Sequence, residues 1–210
     1  MSVPNPDQPL VYLVDDDAAI RDSLGLLLQS VGLECEVFAS AVEFLEAFDP
    51  SRCACLVADI RMPGLSGLEL QQRLNERRAR IPIVFITGHG DVPMAVTAMK
   101  SGAMDFLQKP FRDQDLLDRI NKALAEAREQ GVERAKEQAI RDRLALLTPR
   151  EAEVMRRVVR GQANKVIAMD LGVSQRTVEL HRARVMHKLN MRSLAELVSA
   201  VGKLEDETEG

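Results

Sequence analysis

Cys55-Leu56-Val57-Ala58-Asp59-Ile60-Arg61-Met62-Pro63-Gly64 begins as a short apolar run and then turns on a carboxylate. Four apolar residues ahead of a turn with Pro and Gly suit a strand buried on both faces. Similar short runs recur on either side of it. Leu10–Val14 comes first and is followed by Asp15 and Asp16. Cys35–Phe38 is the second. Ile83–Ile86 precedes Thr87, and Asp105–Leu107 leads to Lys109-Pro110. The intervening segments carry helical spacing instead. Ala18–Ser30 places Ile20, Leu24, Leu27 and Leu28 on one side, with Asp17 as its cap. Ala41–Phe48 follows Ser40, a cap residue. Ser66–Arg77 repeats Leu68, Leu70 and Leu74. Val92–Ser101 stops at Gly102, and a further helix starts near Asp113. Five strand–helix units predict a parallel sheet covered by helices on both faces, an α/β domain.

In such a sheet the working crevice lies beyond the carboxyl ends of the strands. The polar residues stand there: Asp15 and Asp16 after strand one, Asp59 after strand three, Thr87 after strand four, Lys109 after strand five. Three crowded carboxylates repel one another unless a cation joins them, and hard oxygen donors favour Mg²⁺ (or Mn²⁺). Such an ion would also neutralise an incoming phosphoryl group. Asp59 is then the expected nucleophile, forming an acyl phosphate. Thr87 and Lys109 are the expected partners of the phosphoryl oxygens.

Beyond Ala127 the chain turns polar, and Ala, Glu, Lys, Arg and Gln favour helix. We expect domain one at 1–127, a helical linker at 128–143, and an all-α second domain at 144–210. Thr148-Pro149-Arg150-Glu151 is a helix-start signature. Short helices follow at Asn164–Leu171, Gln175–Leu189 (capped by Ser174) and Ser193–Val201, the middle two joined by Gly172-Val173. That pair predicts a helix-turn-helix over about 163–182, whose second helix exposes Gln175, Arg176, Glu179, Arg182 and Arg184 and suits a DNA major groove.

Charge agrees with this division. The chain of 210 residues carries −4. Residues 144–201 hold ten Lys/Arg against five Asp/Glu, the last nine residues are acidic, and residues 1–143 stand at −6. A basic segment in an acidic protein suits a polyanionic partner. No apolar run reaches membrane length. Met1–Pro9 does not resemble a secretory leader, so a cytoplasmic protein is expected. Cys35, Cys53 and Cys55 read as buried free thiols. His89 is more plausibly a loop residue than a phosphate relay. Met94, Met99 and Met104 read as core or interface filler.

Val14-Asp15-Asp16, Asp59-Ile60-Arg61-Met62-Pro63-Gly64, Thr87-Gly88 and Lys109-Pro110-Phe111 resemble a response-regulator receiver domain. The stretch Ile86–Ala95 resembles its FixJ-type branch. Leu147–Glu151, Ala163–Ala168 and Val173–Arg182 resemble a LuxR/NarL-type effector domain. The resemblance implies a flavodoxin-like fold with strand order 2-1-3-4-5, followed by a four-helix helix-turn-helix domain. It implies phosphorylation of Asp59 by a histidine kinase, and metal ligation by Asp15, Asp16, Asp59 and the Arg61 carbonyl. Thr87 and Phe106 take the switch positions, and Lys109-Pro110 matches a cis bond. For DNA it implies phosphate contacts from Lys165, Thr177, Arg184 and Lys188. Glu179, Leu180, Arg182 and Ala183 lie at or beside base edges, with Ser174, Gln175 and Arg176 at the helix start. Homodimerisation on phosphorylation and contact with RNA polymerase are the further expectations, through apolar Val92, Met94, Ala95 and Met99 for the dimer.

Two rivals fit less well. A haloacid-dehalogenase-type phosphatase needs a second Asp two positions after the first, where Arg61 stands. A quorum-type ligand sensor needs an apolar ligand pocket in place of these carboxylates. The chain is therefore expected to be a regulator and not a turnover enzyme.

Overall fold

The computed structural model describes residues 9–88 and 92–209. It divides at Gly131/Val132 into two compact units.

In the first unit, five strands form one parallel sheet: β1 (Leu10–Val14), β2 (Glu34–Phe38), β3 (Ala54–Asp59), β4 (Ile83–Thr87) and β5 (Asp105–Gln108). Their spatial order is β2-β1-β3-β4-β5, as the resemblance implies. The helices are α1 (Ala18–Ser30), α2 (Ala41–Ala47), α3 (Gly67–Glu76), α4 (Val92–Lys100) and the first part of α5 (Asp113–Ala145), whose remainder belongs to the second unit. Alternation along the strands sorts the core into two layers. Leu10, Tyr12, Leu56, Ala58, Ile83 and Phe85 face α2, α3 and α4, where Phe44, Leu70, Leu74, Ala95 and Ala98 close the packing. Val11, Leu13, Cys55, Val57, Val84 and Ile86 face the other way, onto Leu24, Leu28, Leu116, Ile120 and Leu124 of α1 and α5. Tyr12 and Phe44 meet edge-on at 5.2 Å between ring centres, the favoured aromatic geometry.

Local chemistry sets where these helices start. Asp17 accepts the Ala19 amide at 2.8 Å and caps α1. Ser66 and Glu69 form a reciprocal capping box at α3, worth about 1 kcal/mol in such contexts. Of the three cysteines, only Cys55 is fully buried. Cys35 and Cys53 are half-buried, because Cys35 lies on the edge strand and Cys53 precedes β3, where no neighbour covers both sides. All three are free thiols.

The second unit contains α6 (Pro149–Val159), α7 (Asn164–Leu171), α8 (Gln175–Leu189) and α9 (Leu194–Glu209). The stretch expected as a linker is helical throughout, because α5 runs unbroken to Ala145. Thr148 and Glu151 cap α6 reciprocally, with Pro149 in its first turn. Between α7 and α8, Gly172 takes φ +64°, a left-handed turn that glycine adopts without strain. Ser174 then caps α8. α9 runs eight residues past the expected end at Val201. Leu197, Val201 and Leu204 continue one buried face beyond the expected end.

Candidate functional site

The site forms where β1, β3, β4 and β5 end. Carboxylate oxygens of Asp15, Asp16 and Asp59 lie within 4.8 Å of one another. Lys109 reaches in from the end of β5, its Nζ 2.7 Å from Asp59 Oδ2 and 3.0 Å from Asp15 Oδ2. Burial pushes the Asp15 carboxyl up, against the Asp17 amide and Lys109, which favour the ion. Burial also pulls the Lys109 ammonium down, but its hydrogen bonds to Asp59 and Asp15 outweigh that and hold it above its ordinary value. Lys109 is therefore a firm cation, and it bridges two of the three acids. This donor set fits a hard divalent cation: three convergent carboxylates, one buried and one exposed to solvent.

The backbone around the acids is held tightly. The Arg61 amide donates to Asp59 Oδ1 at 3.0 Å, so Arg61 lies in the turn around that carboxylate. The Arg21 guanidinium donates to the Asp15 carbonyl at 2.7 Å, fixing the loop after β1. Gly67 comes so close behind Asp59 that a β-carbon there would run into the Asp59 carbonyl oxygen and approach Phe85 to 2.9 Å. Neither Arg21 nor Gly67 was singled out from sequence. Only the packing of α1 and α3 against the strand ends reveals them.

Thr87 is buried, and its carbonyl accepts the Lys109 amide at 2.7 Å. Phe85 pairs with Phe106 and Thr87 with Gln108 in the β4–β5 register. Thr87 and Phe106 thus share the sheet face that α3 and α4 cover, two residues apart in register. Phe106 is half-buried against that layer. The Lys109–Pro110 bond is cis. His89, Gly90, Asp91 and the Val92 side chain lie outside the described residues. Of the other residues expected on the α4 surface, Ala95 is fully buried and Met94 packs onto the core, because both lie on the sheet-facing side. Met99 is exposed, together with Val96, which the sequence reading passed over.

On α8, Gln175, Arg176, Glu179, Leu180, Ala183 and Arg184 are exposed, as is Lys165 on α7. Ser174 and Thr177 are partly committed to the cap, their hydroxyls 2.8 Å apart. Two of the residues expected at DNA have partners within the chain. Arg182 is half-buried and donates to Asn164 Oδ1 at 2.6 Å, so in this structure it ties α8 to α7 instead of standing free for a base. Lys188 donates to Glu151 Oε2 at 2.7 Å and to the Leu146 carbonyl at 3.0 Å. Sequence spacing could not show these partners, which lie 18, 37 and 42 positions away.

Lys188, with the Thr148 amide, holds the Glu151 carboxyl down at about 2, against an ordinary 4.5. A carboxyl whose folded value is depressed adds stability above its unfolded value, and that stability is lost as pH falls through the folded value. The Glu151 contribution should therefore be complete at neutral pH and disappear between about 4.5 and about 2. Glu151→Gln is expected to melt below the native chain at pH 7, with the difference closing over that window. A difference that does not change with pH, measured by circular dichroism, would show that the ionised Glu151 carboxylate is not the source of the stability.

Two family models match the chain. The response regulator receiver domain matches residues 11–121, and the luxR family of bacterial regulatory proteins matches residues 145–201. The transcriptional regulatory protein FixJ of Azorhizobium caulinodans is 48% identical over 193 residues, spanning 92% of each chain. The response regulator protein TodT of Pseudomonas putida is 42% identical over 200 residues, covering 95% of this chain and 88% of its own. Among solved structures, response regulator StyR matches with TM-score 0.78 at 48% identity, covering 93% of this chain and 99% of that one. Full-length FixJ from B. japonicum matches with TM-score 0.56 at 45% identity, covering 91% and 94%.

Proposed function

We propose, from the premise that this chain belongs to the response regulators that join a receiver domain to a LuxR-family DNA-binding domain, that Asp59 is its phosphoacceptor and that phosphate there governs promoter binding. The chain is a two-component transcriptional response regulator, with a histidine kinase and DNA as its partners, and is not an enzyme in the usual sense. The observation that carries the Asp59 assignment is its place at the end of β3, among Asp15, Asp16 and Lys109.

The chemistry follows from that geometry. An Asp59 oxygen attacks the phosphorus of a kinase phosphohistidine, a P–N bond breaks, and an acyl phosphate forms. Asp15, Asp16, Asp59 and the Arg61 carbonyl are the residues that would hold Mg²⁺ (or Mn²⁺), which supplies positive charge to the phosphoryl oxygens. Lys109 already donates to Asp59 and can pass one hydrogen bond to a phosphoryl oxygen without leaving the site. The Thr87 hydroxyl donates to another. When Thr87 moves toward the phosphate, Phe106 on the same sheet face fills the space it leaves, and the outer surface of α4 and β5 changes.

We assign the receiver to residues 1–127, the linker to 128–143 and the effector domain to 144–210. Lys165 and Arg184 are the phosphate contacts, and Glu179, Leu180 and Ala183 border the base edges. Arg182 joins them only by exchanging Asn164 for a base. Phosphorylation promotes dimerisation, and RNA polymerase is the partner met at the promoter. No described helix is long and apolar enough to cross a membrane. The site of action is the cytoplasm.

Footprinting on genomic DNA, with and without acetyl phosphate and Mg²⁺, tests this reading. Protected sites should appear or deepen on phosphorylation. Identical footprints in both conditions would separate the receiver from control of DNA binding.

A further inference from the structure

Within the second unit, the last turns of α5 and α8 are cross-tied. Arg143, in the last turn of α5, donates to the carbonyl of Leu189, the final residue of α8, at 3.3 Å. Lys188, in the last turn of α8, donates to the carbonyl of Leu146, just past α5, at 3.0 Å. Each helix end thus receives a cation from the other where backbone carbonyls lack helical partners and the helix dipole is negative. The same ammonium holds Glu151, whose carboxylate also accepts the Thr148 amide at 2.9 Å in the capping box of α6. Leu144 and Leu147 pack beside Val185 and Leu189 beneath these bonds. One node therefore joins the end of α5, the start of α6 and the end of α8.

We propose that Arg143 and Lys188 are positioning residues for DNA recognition: they set the placement of α8 through this node, and the end of α5 works as part of the DNA-binding unit and not as a spacer. The proposal rests on the DNA-binding reading above and assigns Lys188 a different role from phosphate contact. A base-edge contact tolerates displacement of only about 0.5 Å, so a shift of α8 removes it. Contacts to phosphate from long exposed side chains such as Lys165 and Arg184 follow such a shift with little loss. The two roles therefore leave different signatures. A lost phosphate contact weakens all DNA alike and lowers the slope of log K against log salt by about 0.9. Lost positioning weakens specific DNA and leaves the slope unchanged.

The test uses the full chain treated with acetyl phosphate and Mg²⁺. Duplexes enriched by the native chain from a random library serve as specific DNA, and unselected duplexes as the reference. Arg143→Met and Lys188→Met should each lose about tenfold on the enriched duplex, the scale of one good base contact. Binding to the reference duplex and the salt slope should hold. Arg143→Lys, which keeps a donor, should recover most of the loss. Arg143→Met removes one hydrogen bond and a half-exposed charge, so it remains a usable variant if Lys188→Met fails to fold. Equal losses on both duplexes with a flattened slope would overturn the proposal, as would unchanged binding in Arg143→Met. If the native chain enriches no sequence at all, the DNA-binding reading fails and the proposal falls with it.

Discussion

Asp59→Asn is expected to take up no phosphate from acetyl phosphate under conditions where the native chain approaches one phosphate per molecule. The amide keeps the size of the carboxylate but has no anionic oxygen to attack phosphorus. The effect should be total and not graded, because no nearby group can take over. Asp16 is exposed at the rim, and Asp15 is fully buried, with its carboxylate committed to the Asp17 amide and Lys109. The surrounding fold should survive, since Asp59 holds the Arg61 amide through one oxygen, which an amide oxygen can also do. Lys109 keeps Asp15 as a partner. Intact-mass spectrometry reads the result directly as the presence or absence of one phosphoryl adduct. An adduct of undiminished yield in Asp59→Asn would place the acceptor elsewhere. The same variant should show no change in sedimentation when treated with acetyl phosphate.

The strand ends were legible because buried parallel strands are short apolar runs and their first polar residue marks the crevice. Asp15, Asp59, Thr87 and Lys109 could all be placed this way before any packing was known. Chain order hides long-range pairing. Arg182 reads as a free cation on an exposed helix until Asn164, on the preceding helix, is seen to hold it. Nor does chain order show that Lys188 holds Glu151 and the Leu146 carbonyl. Faces of short helices are hidden in the same way. Nine residues of mixed small and apolar side chains make up α4. Periodicity could not decide whether Ala95 or Val96 turned outward, and the sheet beneath decided it. α9 runs past its expected end at Val201, where the buried face of Leu197 and Val201 continues to Leu204.

Phosphorylation is expected to convert the chain from monomer to dimer, and Val96→Lys with Met99→Lys is expected to prevent that without reducing phosphate uptake. Both side chains stand on the solvent side of α4, 46% and 38% exposed, three residues apart and so on one face. Large exposed apolar side chains gain by burial, about 1.5–3 kcal/mol for each one fully covered. A second copy related by a two-fold axis would bring the same pair against itself, doubling that gain. Phosphate is expected to alter this face, because α4 follows Thr87 in the chain and covers the sheet face that Thr87 and Phe106 share. Lysines at both positions place up to four ammonium groups at the contact of two copies and should raise the dissociation constant by well over tenfold, on the order of 1.4 kcal/mol for each factor of ten. Neither residue touches the acidic cluster, so adduct formation at Asp59 should proceed normally. Sedimentation velocity, with and without acetyl phosphate and Mg²⁺, gives the result. A native chain whose sedimentation coefficient does not rise at full occupancy of Asp59 has no dimer switch, which leaves release of the effector domain as the mechanism. A doubly substituted chain that still dimerises has its contact on another face, and α4 would then lose its role as the surface through which Asp59 acts.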